Sequence, residues 1–165
     1  HRSHLAGRAF EPWVAALAAA PLLLLYPLFL VLVGRNLGAV VLMGALAGLP
    51  AMVLKTKEGF DGTRPVLLHV ARGFGLSRAE VFRKVLVPSA LPVLANGVRL
   101  ALVFALINIV GIEFLVNIGG LGQLIADLSD RYELPLMYGA VLFVILASTC
   151  FFVITERVER WMRPV

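Results

Sequence analysis

The chain is short of charge and of cross-links. Asp, Glu, Lys and Arg make up 15% of its 165 residues, against about 25% in an ordinary soluble domain. So few charges cannot clothe a water-facing exterior of this size, which excludes a soluble globular protein. Cys150 is the single cysteine, so no intrachain disulfide can form, and Cys/His spacing of the zinc-binding kind is missing. Histidine is scarce and scattered (His1, His4, His69). H-E-x-x-H, paired carboxylates and a Ser/His constellation are all absent, which argues against a membrane-embedded enzyme. No catalytic residue, metal ligand or cofactor is expected. Aromatic residues do not interleave with basic ones and nucleic-acid motifs are lacking, so the net charge of +5 does not point to nucleic acid.

What the chain has instead is apolar length. It is 60% hydrophobic with a mean hydropathy of +0.91, the composition of an integral membrane protein. Without strand-period alternation, the fold class is all-α: a polytopic transmembrane helical bundle forming a single domain over 1–165. Four stretches are long enough to cross a hydrocarbon core as helix, at about 12–34, 37–54, 88–115 and 136–154. Cys150 falls in the last of these as a small apolar residue. The N-terminal "HRSHLAGRAF" is too short and polar for the core of a signal peptide, and with His1 in place of Met it reads as the start of a fragment or a truncated product.

Charge orients the spans. The segment 55–87 carries Lys55, Lys57, Arg64, Arg72, Arg78, Arg83 and Lys84; the C-terminus carries Arg157, Arg160 and Arg163, and the N-terminus Arg2 and Arg8. The connection before the last span holds Asp127, Asp130, Arg131 and Glu133 instead. Lys and Arg collect on the cytoplasmic side, so both termini and the basic insert are expected there. "GRNLG" then makes a tight outer turn. Within the spans, Pro21 and Pro27 are candidate kinks, and Gly44-Ala-Leu-Ala-Gly48 is a small-xxx-small pattern expected to meet another helix closely.

The insert reads as helix, glycine turn, helix. Asp61 or Thr63 is a candidate N-cap, with Pro65 in the first turn of "PVLLHVAR". Gly73 or Gly75 ends that helix in a left-handed conformation. Ser77 and Glu80 form a capping box that opens a second helix, with Val81, Phe82, Val85 and Leu86 at helical spacing, and Pro88 marks entry to the membrane. Such a loop either anchors at the lipid interface or docks a soluble protein.

These residues resemble a known element. His69-Val70-Ala71, three residues, Gly75, nine residues, then Val85-Leu86-Val87-Pro88 is similar to the EAA loop of permease subunits of bacterial ABC importers. The stretches after Pro88 and "GGLGQLI" resemble the nitrate/sulfonate/taurine-type branch of that superfamily. His69 stands where the family usually has Glu, and Val70 where it usually has Ala. The resemblance implies a type I ABC importer-like fold and a location in the bacterial inner membrane. Members usually have six spans, so this chain would lack the first two. It implies that His69, Val70, Ala71, Arg72, Gly73, Gly75 and Ser77 couple to a separate ABC ATP-binding subunit. The chain itself lacks G-x-x-x-x-G-K-[ST], so ATP hydrolysis would belong to that partner. Further implied partners are a second permease subunit in a homodimer, an extracytoplasmic substrate-binding protein and membrane lipid. A truncated scaffold that no longer transports is the alternative.

Asn108, Glu113 and Asn117 are candidate residues of the translocation path. An ionisable group at membrane depth faces a bundle interior or a watery route, so Glu113 either lines the path or pairs structurally. Arg99 is placed to snorkel toward the cytoplasmic side. "GGLGQLI" reads as a turn, a re-entrant segment or a plain connector at the outer surface.

Overall fold

The computed structural model describes residues 12–17, 20 and 22–162, without the side chains of 158, 161 and 162. Pro21 and the basic N-terminal residues Arg2 and Arg8 lie outside the described residues. After a helical segment over 12–17, a 3-10 turn (Leu22–Leu25) leads into α1 (Tyr26–Val33). Then come α2 (Leu37–Asp61), α3 (Pro65–Gly73), α4 (Arg78–Val81), a π-type turn (Phe82–Leu86), α5 (Val87–Leu115), α6 (Leu121–Asp130) and α7 (Leu134–Met162). The all-α expectation holds.

Among the described residues, three helices are long and apolar enough to cross a membrane: Leu37–Asp61, Arg78–Leu115 and Leu134–Arg157. Of the stretch expected as the first span, residues 18, 19 and 21 lie outside the described residues. Its apolar helix, Leu22–Val33, extends about 18 Å at 1.5 Å per residue, short of the roughly 30 Å hydrocarbon core. Pro27 sits in the first turn of α1, just past the change from 3-10 turn to α-helix.

α2 and α5 form the centre of the bundle and run antiparallel. The expected close approach at Gly44 and Gly48 is present: a Cβ at Gly48 would lie 2.5 Å from the carbonyl oxygen of Ala101, and one at Gly44 would lie 2.9 Å from Ile109. On the facing helix, Gly97 sits against Lys55 and Met52. Small residues thus bring two backbones together where lipid supplies no hydrophobic drive between helices. At the end of this seam nearest the start of α2, Tyr26, Val40, Met43 and Ile112 make a buried cluster that includes α1.

Two boundaries depart from the sequence expectation. α2 continues past Leu54 to Asp61, so the start of the basic segment is a helical extension of the span rather than a loop. And the insert's second helix does not stop at Pro88: helix runs unbroken from Arg78 to Leu115, about 57 Å at 1.5 Å per residue. The π-type turn makes this possible. Pro88 has no N–H to give and its ring crowds the carbonyl one turn back. The wider turn, with Val87 N–H bonded to the carbonyl of Phe82, carries the chain past that point without a break.

Candidate functional site

The insert is built by local signals. Neither expected cap of α3 is used. Asp61 is still inside α2, and Thr63 is buried with its hydroxyl unpaired. Arg64 is the N-cap residue, without a side-chain bond, and Pro65 starts the helix. At the other end, Gly75 is the left-handed residue (φ 69°) and Gly73 is helical. Gly75 N–H donates to the carbonyl of Arg72 (2.9 Å) and Leu76 N–H to that of Ala71 (3.1 Å), the paired bonds of a Schellman ending. The capping box forms as expected. Ser77 Oγ accepts from Glu80 N–H at 3.4 Å, and Glu80 Oε2 accepts from Ser77 N–H at 3.0 Å. Phe82 packs against Phe60, with ring centroids 5.8 Å apart, which ties this corner to the end of α2.

α3 is therefore held at both ends with one face left open. Ala71, 3% exposed, turns inward. Val66, Val70 and Phe74, at 68%, 50% and 80% exposed, follow one another at i, i+4 and i+8, so they share a face. His69, Arg72, Gly73, Gly75 and Ser77 are also exposed. The seven residues expected to couple thus fall within 69–77, and all but Ala71 lie at the surface. Phe74 belongs to the same face. Its position four residues after Val70 was the signal for it.

The three candidate path residues make different contacts. Asn108 Nδ2 donates to the carbonyl of Phe104 in its own helix (3.1 Å). The backbone carbonyl of Asn117 accepts from Arg35 of the turn between α1 and α2. Glu113 Oε2 accepts from the N–H of Gly122 at the start of α6, 3.1 Å away. α6 itself was not anticipated. Leu121, Leu124, Ile125 and Leu128 at i, i+3, i+4 and i+7 were the pattern that marked it.

Arg99 finds a partner that no local pattern revealed. Its guanidinium lies 3.2 Å from the carboxylate of Glu159 on α7, which is 2% exposed. It also donates to Asn96 Oδ1 (3.1 Å) and lies over the ring of Phe152, 5.2 Å from the centroid. Gly97 beside Lys55 and Arg99 beside Glu159 place the end of α7 level with the end of α2 from which the insert departs.

The family described as "binding-protein-dependent transport system inner membrane component" matches residues 1–164. The chain belongs to this family. Among its relatives is the riboflavin transport system permease protein RibX of Chloroflexus aurantiacus, 31% identical over 153 residues that cover 93% of this chain and 57% of RibX. A probable ABC transporter permease protein of Brucella melitensis is 29% identical, covering 81% of this chain and 54% of its own length. The putative aliphatic sulfonates permease SsuC of Escherichia coli is 27% identical, covering 94% and 60%. This chain thus spans little more than half the length of these relatives. In fold it is similar to a chain of the MetNI methionine ABC transporter in an inward-facing conformation, with a TM-score of 0.81 over 98% of this chain and 77% of that one at 20% identity. The type I importer-like fold and the resemblance read from the insert are both supported.

Proposed function

We propose that this chain is a permease subunit of an ATP-driven importer, with α3 as the element that docks on a separate ATP-binding subunit. The uncovered stripe Val66–Val70–Phe74 carries the reading. An exposed apolar face between charged residues marks a contact surface, and this one stands at the head of the unbroken helix from Arg78 to Leu115. Displacing α3 would displace that helix, and alternating access would follow from rocking of the bundle. A second permease subunit and an extracytoplasmic substrate-binding protein complete the assembly, and the substrate is a small solute. Hydrolysis of ATP takes place on the partner.

The insert and the end of α7 take the cytoplasmic side. Their shared level in the bundle and their basic residues, Arg72, Arg78 and Arg160 among them, support this orientation. Asn108 and Asn117, whose side chains make no hydrogen bond to another element among the described residues, are assigned to the path.

The test is uptake into vesicles holding this chain, its ATP-binding subunit and its binding protein. Uptake should require ATP and all three components. Val70→Asp should lower it at least about tenfold, because one charge on the apolar face costs more than the roughly 1.4 kcal/mol that a factor of ten represents, while the amount of chain in the membrane stays unchanged. Assembly with the ATP-binding subunit but no uptake under any condition would favour the non-transporting scaffold.

A further inference from the structure

α6 begins without a cap of its own. Its N-cap residue is Gly120, which has no side chain to offer the first-turn amides. Those amides are unpaired in any helix unless something outside reaches them. Here the Glu113 carboxylate does, accepting from Gly122 N–H at 3.1 Å. Two further observations show that the chain is shaped around this contact. A Cβ at Gly120 (φ 102°) would lie 2.1 Å from the carboxyl carbon of Glu113. A Cβ at Gly122 would lie 2.2 Å from the carbonyl oxygen of Val110 and 2.7 Å from the N of Phe114. The Gln123 side chain meanwhile accepts from Gly119 N–H, closing the turn from the other side.

We infer that Glu113 is a positioning residue: its carboxylate is the N-cap of α6, lent by α5, and it latches the two helices so that they move as one body. Negative charge at a helix N-terminus is favourable through both the hydrogen bond and the helix dipole. The glycines at 120 and 122 let the backbone of α6 come close enough to be held. Because α5 continues from the insert, a shift that begins near Ser77 reaches the outer helix α6 through the latch. Gly119 and Gly120, both left-handed (φ 100° and 102°), make the turn that sets this approach.

The test is per-residue amide exchange, together with spin-label distances between Ile107 on α5 and Leu124 on α6, both exposed, in a Cys150→Ala chain reconstituted in lipid. The Gly122 amide of the otherwise unaltered chain should exchange about tenfold more slowly than that of Gln123, the factor a charge-assisted hydrogen bond supports. Glu113→Gln keeps an acceptor and should keep the protection and a narrow distance distribution. Glu113→Met keeps the bulk but not the acceptor, and should lose the protection and broaden the distances. Equal exchange at Gly122 and Gln123 in the unaltered chain would overturn the latch. So would a Met variant as narrow and protected as the Gln variant, since bulk alone would then hold α6.

Discussion

Replacing Gly48 with leucine is expected to remove most of the folded protein from the membrane. A Cβ at this position already lies 2.5 Å from the Ala101 carbonyl oxygen and 3.0 Å from its carbon. These are backbone atoms of α5, which cannot swing aside as a flexible side chain would. Overpacking a tight contact costs about 1–3 kcal/mol and more where backbones must separate, so we expect a loss at the top of that range. The neighbours in the seam cannot compensate, because Gly44 against Ile109 and Gly97 against Lys55 are nearly as tight. Gly139 on α7 is the control: a Cβ there meets nothing within 4 Å, and Gly139→Leu should leave the yield unchanged. Membrane-fraction yield and resistance to detergent unfolding measure both.

Arg99→Leu should be nearly as damaging, for a different reason. Glu159 is 2% exposed, and removing the guanidinium strips a buried carboxylate of a close counter-charge. Breaking a buried pair from one side costs on the order of 3 kcal/mol or more, while replacing both partners with apolar groups can be nearly neutral. Arg99→Leu with Glu159→Leu should therefore be more stable than Arg99→Leu alone. A double-mutant cycle on unfolding midpoints reads the coupling. Additive losses would mean that the pair does not hold α7 to α5.

These two sites also divide what the sequence discloses from what it conceals. Gly44-x-x-x-Gly48 is legible because helix packing in lipid selects small residues at a fixed spacing. The Ser77–Glu80 box and the ending at Gly75 are legible because caps obey rules that span only a few residues. Between them they placed α3, which is most of the candidate site. Arg99 and Glu159, and Glu113 and Gly122, are paired by tertiary structure, and no local pattern shows such pairings. The path residues Asn108, Glu113 and Asn117 share polarity and nearness in sequence, but Asn108 bonds within α5, Glu113 reaches α6, and Asn117 lies past the end of α5. Boundaries failed where two signals competed. Lys55 and Lys57 suggested that α2 ends with its apolar run, yet helix continues to Asp61 because charge ends a span and not a helix. Pro88 marked the entry to the membrane, and the π-type turn joins the insert's second helix to the span there. α6 is concealed because Gly119, Gly120 and Gly122 give turn signals over the helical spacing of Leu121, Leu124, Ile125 and Leu128.

The central claim is that α3 docks on an ATP-binding subunit. Val70→Cys in a Cys150→Ala chain, co-expressed with that subunit carrying cysteines along its groove, tests it most directly. Disulfide crosslinking should occur from Val70, with a yield that changes between nucleotide-free and ATP-bound complexes, and should be absent from Gly139→Cys on the far helix. A complex that hydrolyses ATP normally but gives no crosslink from Val70 in either state would contradict the account.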